Sequence, residues 1–199
     1  MTSFTPEWKI QQHTHHVILR RTAIAELFGN QVNAGLVDID QALKDRTYAD
    51  ALQLANNNVG EVVACFGRYK TKSFNWIIEN DPGYIKYLWK DHRQSDEASL
   101  EGAREVTVYT WHLAHYAYSS FPVLAKTLDD VLHQQEQDVI AARSGDDSIR
   151  CVKFGSCPNI TYQDSYDSTE PGHIKWLNDI RQKKVLGKDP VCSILRSGC

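Results

Sequence analysis

No stretch of this 199-residue chain approaches the ~20 consecutive apolar residues of a membrane-spanning helix. The opening residues, MTSFTPEWKIQQHTHH, carry no apolar core of the kind a secretory leader needs, so an intracellular location, in cytoplasm or nucleus, is expected. Cysteine is sparse and odd in number: Cys65, Cys151, Cys157, Cys192 and Cys199 are irregularly spaced and include no C-x-x-C pair. That pattern argues against a dense disulfide scaffold, gives a structural zinc site weak support and predicts reduced thiols. A glycine-rich phosphate loop, a G-x-S-x-G elbow and a cysteine–histidine signature are all missing, so no catalytic residue and no cofactor is assigned.

What is present is ordinary globular material, 42% hydrophobic and 24% charged, in a chain long enough to bury most of its unfolded surface. The net charge of −3 argues against a general polyanion binder, but the charges are unevenly placed. Residues 66–93 hold six Lys/Arg against three Asp/Glu, and residues 150–199 hold eight against five. Between them, residues 94–149 hold three against ten. Two basic segments thus flank an acidic one, an asymmetry that fits either a polyanion-facing surface or two surfaces that attract each other.

The basic segments share an order of residues. Phe66-Gly67 returns as Phe154-Gly155, Phe74 as Tyr162, and PGYIKYL from Pro82 as PGHIKWL from Pro171, with one residue inserted between the anchors. Internal repetition predicts two equivalent modules, with Phe66 and Phe154 buried alike. In the first module Val62–Phe66 is a β-type run, Lys72-Ser73-Phe74 its hairpin return, and Trp76-Ile77-Ile78 a short helix ending before Pro82. Asp81 then caps a helix that puts Ile85, Leu88 and Trp89 on one face, with Lys86 and Lys90 toward water.

The rest of the chain reads as helix. Thr5-Pro6-Glu7 has the pattern of a helix start, and Val17, Ile18, Ile24, Leu27 and Phe28 follow at near-helical spacing, with a stop at Gly29-Asn30. Further helical patterns begin at Asp38 and Tyr48, the latter ending at Asn56-Asn57-Asn58. Residues 106–111 are β-branched enough for a strand, yet the spacing of Val106, Tyr109, Leu113, Tyr116 and Ala117 favours a helix, followed after Pro122 by a second one. The expected fold is α+β and helix-rich: two pseudo-repeated hairpin-plus-helix modules bridged by a helical pair, with an N-terminal helical segment. Its parts are 1–61 (helical segment), 62–93 (first module), 94–149 (acidic helical bridge), 150–187 (second, degenerate module) and 188–199 (irregular tail), all within one domain.

Phe66, Gly67, Tyr69, Lys70, Lys72, Asp81, Pro82, Tyr84, Tyr87 and Leu88 stand in a pattern that resembles the small C-terminal module of exodeoxyribonuclease X-like proteins. The likeness covers about 30 residues. It implies an accessory role beside DNA or RNA and no chemistry of its own. The second copy replaces Arg68, Tyr69, Lys70 and Lys72 with Ser156, Cys157, Pro158 and Ile160, keeping the packing anchors and losing the basic loop.

On this reading Arg68, Tyr69, Lys70, Lys72, Lys86 and Lys90 form a nucleic-acid-binding surface, in which cations meet phosphates and an accessible Tyr69 stacks on a base. Single-stranded DNA or RNA is then the partner. The alternative is a protein-interaction or assembly component, viral or cellular, that uses a protein partner or self-association; neither reading involves a membrane. A third reading, a small metal-dependent nuclease, rests on Asp38 and Asp40 with a loosely placed His92 and Asp96, but Asp38 is better read as a helix cap. His13, His15 and His16 cluster in sequence, and His112 and His115 share a helical face. Neither set has a carboxylate or cysteine at diagnostic spacing, so no metal site is assigned.

Overall fold

The computed structural model describes residues 4–151 and 160–182. Its described residues fall into two compact units, one of residues 4–11 and 15–128, the other of residues 12–14, 129–151 and 160–182. Helices are the regular elements of both. They are α1 (Ala23–Asn33), α2 (Gln41–Lys44), α3 (Tyr48–Leu54), α4 (Phe74–Asn80), α5 (Pro82–His92), α6 (Glu105–Ser120), α7 (Pro122–Ser144), α8 (Tyr162–Asp167) and α9 (Pro171–Gln182).

The α+β expectation is therefore corrected: no β-strand occurs among the described residues. The expected hairpin shrinks to one antiparallel bridge, Val63 to Ser73, flanked by hydrogen bonds from Ala64 N to Lys72 O (2.9 Å) and from Phe74 N to Val62 O (3.0 Å). The reason is local. Gly67, at φ +63°, opens a 3-10 turn over Gly67–Tyr69, and Thr71 at φ 76° folds the chain straight back. Ser73 then caps α4 by accepting from Trp76 N at 3.3 Å, so the return limb becomes helix after a single pair.

A second correction concerns the N-terminus. Residues 5–22 form no helix, and the first begins at Ala23, with Thr22 accepting from Ala25 N. The preceding chain doubles back instead, pairing Ile10 with Val17 and placing His15 at φ 55°. Tertiary bonds hold it extended: Trp8 Nε1 donates to Ile78 O at 3.0 Å, and Val17 N to Thr127 Oγ1 at 3.0 Å. Nor does Gly29-Asn30 stop α1, which runs on to Asn33; Gly29 is buried with the Arg68 side chain against it. The α2 cap is Asp40, which accepts from Ala42 N, and not Asp38.

The core of the first unit is built on α5 and α6. The packing of α5 on α6 buries Ile85, Leu88 and Trp89 of the first and Leu113, Ala114 and Ala117 of the second, while Tyr109 of α6 is buried against Tyr48 and Phe66. Phe74, Ile77 and Ile78 of α4, which packs on α5, are fully buried, as are Val62 and Ala64. Each such aliphatic or aromatic side chain contributes about 1.5–3 kcal/mol on burial. Gly60 fits where no other residue does, because a Cβ there would lie 2.5 Å from both Asn75 Nδ2 and the Tyr116 hydroxyl. Those two side chains are hydrogen bonded to each other, Tyr116 Oη donating to Asn75 Oδ1 at 3.0 Å.

The second unit repeats a local order found in the first. A 3-10 turn over Asp147–Ile149 corresponds to Val59–Glu61, and the Cys151–Thr161 bridge to the Val63–Ser73 bridge. Thr161 caps α8 by accepting from Asp164 N at 2.9 Å, as Ser73 caps α4. Tyr162 N donates to Arg150 O, as Phe74 N does to Val62 O. The equivalence is local: Ile174, which stands where the first copy has the fully buried Ile85, is 45% exposed. Phe66 is half-buried and not buried as expected, its ring 5.8 Å from that of Tyr109, while Phe154 lies outside the described residues.

Candidate nucleic-acid interface

The anchor of this region is a buried carboxylate. Asp81, 4% exposed, ends α4 and caps α5, its Oδ1 accepting from Tyr84 N at 3.0 Å. Its Oδ2 accepts from the Tyr69 hydroxyl and from Arg21 Nε, the latter at 3.1 Å. Gly83, beside the cap, must be glycine, because a Cβ would sit 2.9 Å from Leu19 O.

Tyr69 is thereby corrected from an accessible stacking residue to a core residue, 2% exposed. Its ring packs on Trp76 (5.8 Å between centroids) and edge-on against Tyr84 (5.5 Å). Burial, and then the hydrogen bond to Asp81, push its phenol far above the ordinary tyrosine range. Lys72 is engaged too. Its ammonium lies 4.4 Å from the Phe28 ring centroid and 5.0 Å from that of Trp76, a cation–π seat that ties the turn to α1 and α4.

The other candidates are placed differently. Arg68 and Lys90 are exposed, and Lys70 and Lys86 are half-buried. Among the described residues none of these four makes an ion pair. At roughly 100° per residue, Lys90 and Tyr87 fall on the solvent side of α5, opposite Ile85, Leu88 and Trp89, and Lys86 lies at the flank of that apolar face. Tyr87 is 60% exposed, and its ring plane lies within 14° of that of Tyr84, with centroids 6.4 Å apart. Burial raises the Tyr84 phenol to about 12, an effect the nearby Arg68 charge opposes. The structure thus lays the Arg68 side chain against Gly29 of α1, with its charge felt at Tyr84, and moves the accessible aromatic from Tyr69 to Tyr87. From the sequence Tyr87 reads only as a helix-flanking residue. The signal available was its position about 150° from the centre of the Ile85–Leu88–Trp89 face. Asp91, one turn beyond Tyr87 and exposed, sets a negative charge on the same side.

The other expected sites have structural roles. Asp38 accepts from its neighbour's amide, Ile39 N, at 2.8 Å, and Asp96 caps a 3-10 turn by accepting from Ser99 N at 3.0 Å. His92 Nε2 shares a hydrogen bond with Thr110 Oγ1 at 3.0 Å. His112 stacks face to face on Tyr48 at 3.8 Å, and His115 on Trp111 at 3.9 Å. Burial holds the His92 and His112 imidazoles below their ordinary pKa, favouring the neutral form in both. No group of three or more His, Cys, Asp or Glu among the described residues is arranged to hold a metal ion. Cys65 and Cys151 are thiols; Cys157, Cys192 and Cys199 lie outside the described residues. No helix of the described residues is long and apolar enough to cross a membrane.

The first unit also carries a cleft and a groove. A cleft of about 550 Å³ is lined by Glu7, Lys9, Arg20, Arg21 and Glu79, a mixed-charge set partly satisfied within itself, since Glu79 accepts from Glu7 N and Arg21 donates to Asp81. An apolar groove of about 310 Å³ is lined by Pro6, Trp8, Ile10, Phe121, Pro122 and Val123. No family model, no curated protein and no solved structure matches this chain.

Proposed function

We propose that the chain is a non-enzymatic, nucleic-acid-associated module whose contact surface is the outer side of α5 together with the 3-10 turn at Gly67–Tyr69. The observation that carries this reading is the set of four cations, Arg68, Lys70, Lys86 and Lys90, without an ion-pair partner among the described residues. Two cations near them are engaged instead, Arg21 on Asp81 and Lys72 on two rings. Unspent cations beside an aromatic surface suit phosphates, whose neutralisation releases counterions. The resemblance of residues 66–88 to the exodeoxyribonuclease X-like module supports the same assignment. Lys72 and Tyr69 leave the contact set and become its supports.

The test is a binding titration across salt concentration. Replacing Arg68 and Lys90 by Gln is expected to weaken binding to every oligonucleotide sequence. It should also lower the slope of log K against log salt by roughly 0.7–0.9 for each phosphate no longer neutralised. An unchanged slope would remove these residues from the interface. A second reading, a protein-interaction or assembly role, draws on the apolar groove, where Ile10 and Val123 are 43% and 50% exposed. Loss of binding partners on charging this groove by Val123→Asp, with oligonucleotide binding absent in the wild type, would favour it.

A further inference from the structure

The accessible ring of this face is held in a way that an ordinary surface tyrosine is not. Tyr87 is 60% exposed, and its neighbour Tyr84 presents a second ring of almost the same orientation. Tyr84 is fixed twice by one carboxylate: its backbone amide donates to Asp81 Oδ1, and its ring is packed edge-on by Tyr69, whose hydroxyl donates to Asp81 Oδ2. Asp81 is itself buried and held by Arg21. The chain of contacts runs from a buried ion through two packed rings to one exposed ring, so the surface is ordered before anything binds. A platform ordered in advance loses less side-chain entropy when a planar group is laid on it. Cations act on it from two sides: the Arg68 charge is felt at Tyr84, and Lys90 stands one turn from Tyr87 on α5.

Resting on the nucleic-acid reading above, we propose that Tyr87, backed by Tyr84, is a stacking platform for an unpaired base, so that this face takes single-stranded DNA or RNA and not duplex. The choice follows from geometry. In a duplex the base faces are buried in the stack, and a ring standing on a convex helix meets only backbone. In a single strand the bases turn outward, and each offers a π face regardless of identity. Phosphates on either side of the stacked base then reach Arg68 and Lys90. Asp91, on the same side, opposes the strand and limits its affinity.

Fluorescence anisotropy with a labelled oligothymidylate of roughly 12 nucleotides, and with a hairpin duplex of similar length, tests this directly. At about 50 mM salt the wild type is expected to prefer the single strand. Tyr87→Ala should lower single-strand affinity by about 5- to 100-fold, leaving the salt slope and the duplex affinity unchanged, because stacking releases no counterion. Tyr87→Phe should retain most of the affinity, and Asp91→Asn should raise it. Because Tyr87 is largely exposed, its variants should unfold at the wild-type midpoint, which circular dichroism checks. If Tyr87→Ala binds the single strand as the wild type does, or Tyr87→Phe loses as much as Tyr87→Ala, the platform is overturned while the cationic contact surface stands. Absence of binding to either probe overturns both.

Discussion

Tyr69 is the residue whose role changes most between sequence and structure, and its replacement has a size that can be worked out. Tyr69→Phe keeps the ring and its packing against Trp76 and Tyr84, and deletes only the hydroxyl that donates to Asp81. A hydrogen bond to a charged group is worth about 1.5–3 kcal/mol. The carboxylate keeps Arg21 and the Tyr84 amide, so the lower part of that range applies, about 1.5–2 kcal/mol. Tyr69→Ala also empties the ring's space, adding the roughly 3–5 kcal/mol usual for a large aromatic deleted from a core, for about 5 kcal/mol or more. That loss is comparable to the whole stability of many domains. Urea unfolding, followed by far-UV circular dichroism, measures both, and a double-mutant cycle with Asp81→Asn isolates the pair. In that cycle Tyr69→Phe should cost clearly less in the Asp81→Asn background. The pH dependence has a fixed sign. A phenol whose pKa is raised by folding stabilises fully below the ordinary tyrosine value, and that contribution is lost as pH rises through the folded value. A Tyr69→Phe variant within about 0.5 kcal/mol of wild type, with equal effects in both backgrounds, would refute the reasoning.

Gly60→Ala should destabilise by about 2 kcal/mol or more, read as a lowered urea midpoint at unchanged slope, because the added methyl displaces the Asn75–Tyr116 hydrogen bond. Lys72→Ala should cost about 0.5–2 kcal/mol by removing the ammonium from its seat over Phe28 and Trp76, whereas Lys70→Ala should stay near zero in the same unfolding assay. Because burial lowers the His92 and His112 pKa values, stability should be full above the ordinary histidine value of about 6.5 and decline as pH falls through it. His112→Phe should flatten that decline while keeping a ring against Tyr48, which thermal melts across pH will show.

Much of the helical layout was legible because its signals are local. Asp81-Pro82 had to cap and start a helix, and Asn56-Asn57-Asn58 had to end one; Asn56 and Asn57 take the left-handed backbone at φ 52° and 59°. The register of α5 was legible as well, since Ile85, Leu88 and Trp89 define one face by spacing alone. What was not legible depends on partners distant in sequence. Residues 5–22 carry helix-start residues, yet Ile78 O and Thr127 Oγ1 hold that segment extended. Val62–Phe66 has strand composition, but one pair of residues after the turn the chain enters α4, and a ladder never develops. Tyr69 lies between an arginine and a lysine, where composition says solvent, and only the buried Asp81 carboxylate turns it inward. The exposed ring, Tyr87, stands off the Ile85–Leu88–Trp89 face by spacing alone, but that spacing does not distinguish a solvated ring from one packed on another element; its 60% exposure does.

Amide chemical-shift mapping on titration with a short single-stranded oligonucleotide tests the central claim most directly, because it reads location and not only affinity. The largest shifts are expected on Arg68, Lys70 and the Tyr84–Lys90 stretch, weakening as salt rises, with the groove residues Ile10 and Val123 still. Shifts centred on that groove or on α9, or none at all at low salt, would contradict that claim.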